Sequence, residues 1–345
     1  MTPSENHPLI WTGSYTSDSG GHGAGIGAIS AASDGTLTWR GTAVKADSPS
    51  FVAVHPSLPL VYAVGESTAS VQAYRRRGEF GLEAVGEPWP AGEAACHVAV
   101  GHEGRFLVVA CWGDGQVLLF ELDDDGGITS RFSAAPSTDP YDDGRPSRAH
   151  ASLMLADGRL MTTDLGHDLL RVWTYGAGAG LTLDHEVVLP KDSGPRHLVQ
   201  RADGAVLVVT EYSIEVFAAR VADGSSSFEL VGQAPATAGG AKDGDSAAEI
   251  ALSSDGKHAY VGVRGSNRIC VLDVDGSPGV IRPLVDYSSG GDWPRHHLVR
   301  NGWLHVAHER SHDVTTFRLD PVSGMPGEVQ SRLVTGSPTA LVVAS

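Results

Sequence analysis

The sequence predicts an all-β chain folded as a seven-bladed β-propeller, and three observations carry that prediction. No segment keeps a 3.6-residue apolar period over three turns, while short β-branched runs bounded by Gly, Asp and Ser recur throughout. A four-strand pattern repeats, with openings at Phe51, His97, His150, His197, Glu249, His296 and Thr339 that lie 43 to 53 residues apart, the period of propeller blades. The two ends are complementary, each an incomplete blade that the other completes.

Taken in order, LIWTGSYT, GIGAISAA and LTWRGTAVK read as second, third and fourth strands that lack a first. SPSFVAVHP, LVYAVGE, SVQAYRR and LEAVGEP then supply one complete blade in about 40 residues. Further blades open at His97 (FLVVACWG, QVLLFEL following), at His150 (LMTTDLG, LLRVWTY) and at His197 (AVLVVTE, IEVFAA). Two more open at Glu249 (HAYVGVRG, RICVLDV) and His296 (WLHVAHE, VTTFRLD). PTALVVAS is an opening strand with nothing after it, so one blade is expected to take its innermost strand from the C-terminus and three from the N-terminus. That closure leaves no open sheet edge and makes residues 1–345 one domain. Repeated DGR, DGK and EGR turns at Asp157, Asp255 and Glu103 are hairpin chemistry, with Gly taking positive φ. The connections 133–147 and 234–247 are rich in Gly, Pro, Asp and Ser, and are expected as loops that either rim the pocket or stand in solvent.

Composition excludes several function classes. Of 345 residues, 41% are hydrophobic and only 19% charged, enough for a large core and not a disordered pattern. A formal charge of −16 opposes a nucleic-acid partner, since the only dense basic run is Arg75-Arg76-Arg77, expected to follow an exposed strand. No apolar run approaches a membrane span, and Met1 to Pro8 has neither a basic n-region nor an apolar h-region, so a soluble cytoplasmic protein is expected. Cys96, Cys111 and Cys270 are odd in number and lack metal-type spacing, which fits buried thiols in a reducing compartment. No phosphate loop, dinucleotide fingerprint or Cys/His finger is present, and nothing in the sequence signals an oligomeric state.

Propeller topology brings residues just before each first strand and just after each second strand to one mouth of the channel. The starts carry Cys96 and His97, Arg148 and His150, Arg196 and His197, Glu249, and Arg295, His296 and His297. The returns carry Glu66, Trp112, Asp164, Glu211, Arg264 and Glu309. Such a concave polar cluster is the expected site, whereas His167, His258, His305 and His308 alternate with strand residues and read as structural.

At these residues the sequence resembles the seven-bladed propeller lactonase family, of the 6-phosphogluconolactonase and carboxymuconate lactonizing enzyme type. The similar segments run in order through TGSYT, SPSFVAVHPSLPLVYAVGE, ACHVAVGHEGRFLVVACWGDGQV, RAHASLMLADGRLMTTDLGHD, GPRHLV, AAEIALSSDGKHAYVGVRGSNRICVL and WPRHHLV. The resemblance implies a site on His150, Arg196, Glu211 and Arg264, with His97, Glu249 and Arg295 in adjoining motifs; Arg148, His197, His296 and Trp112 join these as substrate-binding positions from their place at the mouth. It departs from the family pattern at the mouth. Arg148 replaces the first histidine of the family's PHAH, and Gly65, Thr210 and Val263 stand where Asn usually precedes Glu66, Glu211 and Arg264. Cys111-Trp112-Gly113 replaces an Asn-Tyr-Gly-like segment.

Lactone hydrolysis needs a base for water, a stabilised oxyanion and a proton for the leaving alkoxide. His150 or Glu211 could be the base, and Arg196 and Arg264 offer forks for an oxyanion, carboxylate or phosphate. A cationic mouth would select a small anionic lactone or carboxylate such as 6-phosphogluconolactone, with no cofactor. The same residue types could serve a muconate-type cyclase or isomerase. Two other readings are a metal site on His97, His150, His197 and His296 with Glu211 or Glu249, and a non-catalytic scaffold presenting Trp112 and Trp293.

Overall fold

The computed structural model describes residues 9–344, so the reading of Met1 to Pro8 lies outside the described residues. These residues form seven four-stranded antiparallel sheets, a seven-bladed β-propeller. In each of six blades four consecutive strands follow one another from the channel outward. The seventh runs Pro338–Val343, Leu9–Ser14, Ile26–Ala31, Leu37–Val44, with Ile10 opposite Val343 and Gly13 opposite Ala340, as the complementary ends predict. All six residues of Leu9–Ser14 are buried. Without the C-terminal strand, their N–H and C=O groups on that edge would have no partner.

Each second strand is sandwiched between neighbouring blades, which explains its unbroken apolar sequence. Val206–Thr210 and Leu160–Asp164 are buried at every position, whereas outer strands such as Ile128–Ser133 alternate toward solvent. The core is interblade: Leu60 and Tyr62 of one blade pack with Leu107, Val109 and Phe120 of the next. The three cysteines are buried and free, as expected. Among the described residues no helix is long and apolar enough to cross a membrane.

Two expectations need adjustment. The Arg75–Arg77 triplet ends a strand, Ser70–Arg77, rather than following it. Neither long connection forms a strand, but neither lines the central cavity. They are clamped to the blades by buried ion pairs. Asp168, fully buried, takes Arg145 Nη1 at 2.5 Å and the backbone N–H groups of Asp192 and Gly194 at 2.9 and 2.7 Å. Arg268 similarly bridges Asp245 at 2.6 Å and Asp286 at 2.8 Å. His167 contributes to the first clamp, 2.8 Å from Ser137 Oγ and 2.8 Å from Arg145 O. His305 and His308 are likewise spoken for within their blade, by Thr316 and Asp313, each at 2.9 Å.

Candidate active site

The site is made by a defect that recurs around the ring. In six blades the innermost strand carries one extra residue at its mouth end. Ala95 pairs with Cys111 and His97 with Ala110, so Cys96 has no partner; Arg196, Arg295 and Thr339 are skipped in the same way. In a regular strand adjacent side chains face opposite sides, but a bulge re-aims one of them. Arg196 and His197 therefore line the same cavity, as do Arg295 and His296. Carbonyls beside these irregularities are satisfied by neighbouring blades: Thr163 Oγ1 donates to Arg196 O (2.9 Å), Arg196 Nη1 to Ala248 O (2.6 Å) and Thr339 Oγ1 to Ser50 O (2.8 Å).

Three groups of polar side chains converge there. In the first, Glu211 Oε2 is shared by Arg196 Nε at 2.9 Å and Arg264 Nη2 at 3.0 Å. Burial pushes the Glu211 carboxyl up, but Arg264 and Arg196 outweigh it and hold it below its usual range. Burial brings Arg264 down to about 10, still cationic at neutral pH. In the second, Arg295 is held by Glu309 at 3.0 Å and by the Tyr15 hydroxyl at 2.7 Å, and Tyr15 lies against both carboxylate oxygens of Glu66 at 3.0 and 3.1 Å.

The third group is a girdle of histidines around Phe51. His97 packs 4.2 Å from the Phe51 ring, and His197 lies 5.5 Å from His97 and 5.4 Å from His150, centroid to centroid. Glu249 Oε2 is 2.8 Å from His197 Nδ1 and 3.4 Å from His296 Nε2. The Leu341 N–H points at His296 Nδ1 at 3.3 Å, which places the His296 proton on Nε2, toward Glu249. His97 Nδ1 meets Ser152 Oγ at 3.2 Å. Nδ1 of His150 is buried with no hydrogen-bond partner among the described residues. Among those residues no group of three or more His, Cys, Asp and Glu is placed to share a metal ion, so the four-histidine metal reading gains no support.

Burial drives the girdle toward the neutral imidazole. His150 falls well below its ordinary value through burial and then the nearby Arg196, and His197 does so for the same two reasons. For His97 burial is followed by His197. His296 is lowered to about 4 by burial despite Glu249, and burial brings His305 and His308 to about 4 as well. Each of these imidazoles takes up a proton near pH ~6.5 in the unfolded chain but only at lower pH when folded. The stability they contribute is therefore complete above pH ~6.5 and lost as the pH falls toward about 4, with a slope of up to ~1.4 kcal/mol per pH unit for each. Thermal melts are expected to be level above neutrality and to drop steeply below pH ~6. A melting temperature that stays constant down to pH ~4 would mean these histidines are hydrated in solution.

The cavity is tight, about 10 Å³, and is lined by five predicted residues, His150, Arg196, His197, Arg295 and His296, with Ser50, Phe51, Cys96 and Thr339. Glu211 and Glu249 stand beside it as ionic partners of lining residues, Arg264 pairs with Glu211, and His97 packs behind Phe51. Arg148 and Trp112 are not in the lining; they form a stacked pair on the rim, with the guanidinium 4.3 Å from the indole centroid.

The expected cationic mouth is corrected at its centre. Arg196, Arg264 and Arg295 are matched there by Glu211, Glu309, Glu66 and Glu249. Sequence reasoning missed Tyr15, although it directly follows its blade's second strand, Leu9–Ser14, as Glu66 and Trp112 follow theirs. It also used Phe51 only as a marker of blade spacing.

With this geometry in view, comparisons with known proteins are informative. A family model described as "Lactonase, 7-bladed beta-propeller" matches residues 9–343. Similar curated proteins include the 6-phosphogluconolactonase of Bacillus subtilis, 26% identical over 294 residues and covering 82% of this chain and 83% of the relative. The 6-phosphogluconolactonase of Formosa agariphila is 24% identical over 310 residues, 85% of this chain and 87% of the relative. Among solved structures, the periplasmic gluconolactonase of Pseudomonas aeruginosa superposes with a TM-score of 0.87 at 23% identity, covering 98% of this chain and 99% of that one, a likeness of fold.

Proposed function

The chain belongs to the seven-bladed β-propeller lactonase family, and from that premise we propose that it hydrolyses an anionic sugar lactone of the 6-phosphogluconolactone type. One observation carries the reading: a buried neutral histidine with an unpartnered nitrogen, His150, lines the same cavity as an arginine held in a fixed orientation, Arg196.

In this mechanism His150 Nδ1 takes a proton from water as the water oxygen attacks the lactone carbonyl. The carbonyl π electrons move onto oxygen. Arg196 forms an ion pair with Glu211 through Nε and donates Nη1 to Ala248 O, and Nη2 is assigned to that developing oxyanion. Collapse of the tetrahedral intermediate breaks the ring C–O bond, and the imidazolium of His150 returns its proton to the departing alkoxide, giving the open hydroxy acid. Glu211 is assigned to holding the two arginines, because its Oε2 already faces both Arg196 and Arg264.

Hydrolysis is preferred to muconate-type cyclisation because a dicarboxylate at the reacting centre would meet arginines already matched by glutamates. The three free buried cysteines support a reducing, cytoplasmic setting, and the closed ring supports one domain over residues 1–345. The test is turnover of 6-phosphoglucono-δ-lactone against glucono-δ-lactone, with chelator present and absent. Chelator-resistant hydrolysis favouring the phosphorylated lactone is expected. No hydrolysis of either above the spontaneous rate would overturn the reading.

A further inference from the structure

We propose that Arg148, stacked on Trp112 at the rim of the mouth, binds the remote phosphate of the substrate and sets the preference for a phosphorylated lactone. The inference rests on the lactonase reading for the identity of the substrate, and on three features of the structure for the site.

The first is charge. Every arginine at the cavity already faces a carboxylate, and the histidines are neutral, so the inner site has no net positive charge to offer a dianion. Arg148 differs: among the described residues no carboxylate lies within ion-pair distance of its guanidinium. The second is size. At about 10 Å³ the central cavity has room for about one water, far below the usual ~300–1,000 Å³ of ligand pockets, so a lactone whose carbonyl reaches this water keeps its substituents toward the rim.

The third is preorganisation. Nη1 of Arg148 donates to Trp112 O at 3.1 Å and Gly113 O at 2.6 Å, and the guanidinium lies over the Trp112 ring. The backbone N–H of Arg148 is fixed to Asp164 Oδ1 at 2.8 Å. This leaves Nε and Nη2, the side-on edge of the fork that matches two phosphate oxygens. The half-exposed Tyr212 joins rim to centre: burial and Glu211 raise its phenol while Arg148 and Arg264 oppose that rise, so its hydroxyl lies in the field of both regions. Arg148 also stands two residues before His150, immediately ahead of the strand Ala149–Met154 that carries the proposed base.

The experiment measures calorimetric binding of 6-phosphogluconate and of gluconate to the full chain and to Arg148→Gln and Arg148→Lys, together with kcat on unphosphorylated glucono-δ-lactone. The wild type is expected to bind 6-phosphogluconate at least ~10-fold more tightly than gluconate, the scale of a charge-assisted fork. Arg148→Gln is expected to bring the two affinities within ~2-fold by weakening the phosphorylated ligand alone, and Arg148→Lys to retain part of the preference. A preference that persists in Arg148→Gln overturns the proposal. So does an equal loss for both ligands, which would mark a structural role, and so does a wild type without preference. If neither lactone is hydrolysed but the phosphate preference disappears in Arg148→Gln, the lactonase reading fails and the anion site stands.

Discussion

Arg196→Ala is expected to lower kcat/KM for the lactone at least ~100-fold, the scale of losing one preorganised oxyanion donor. The same substitution frees Ala248 O and leaves Glu211, mostly buried, with Arg264 as its remaining direct partner. Removing one member of a buried ion pair typically costs ~3–5 kcal/mol, so a fall in melting temperature should accompany the loss of activity. Two companions separate the effects. Arg196→Lys restores a charge but not the fork that reaches Glu211 and Ala248 together, and is expected to recover less than a tenth of the wild-type rate. Arg196→Ala combined with Glu211→Gln leaves buried Arg264 without its carboxylate and should lose further stability without regaining turnover. Near-wild-type kcat/KM in Arg196→Ala would remove this arginine from the mechanism.

His150→Ala is expected to cost a similar factor of ~100 or more, the usual range for a positioned general base. The sharper evidence is the pH profile. An ordinary histidine base loses half its activity near pH ~6.5, whereas burial followed by Arg196 holds His150 well below that value. The acidic limb of kcat/KM should therefore lie well below pH ~6.5, with activity level through neutrality. Residual hydrolysis in His150→Ala should lose this limb. A limb near pH ~6.5, or one unchanged by the substitution, would assign the base to another group; His197, oriented by Glu249 at 2.8 Å, would be examined next.

The blade count, the shared blade and the mouth that carries the site were legible because they are written in local periodicity. Runs such as LVYAVGE and FLVVACWG declare strands buried on both faces, and their recurrence counts the blades. The polar residues at the mouth were legible too, since chain reversal alone decides where a strand begins and returns.

Their roles were not legible. Strict alternation would send Arg196 and His197 to opposite sides of the sheet; a one-residue bulge, set by how each inner strand packs against the next, turns both toward the cavity. Ring closure likewise decides that Arg295 meets Tyr15 across 280 positions of sequence and that one glutamate serves two arginines from different blades. That pairing converts a mouth that looks cationic in sequence into a neutral one and leaves Arg148 as a guanidinium without a carboxylate partner among the described residues. The sequence by itself thus determined the architecture and the inventory of the mouth, because strand and turn propensities act over a few residues. Orientation, protonation and charge balance were decided only in the tertiary structure, because burial and Coulomb energy depend on distances between residues that the chain brings together only when the ring closes.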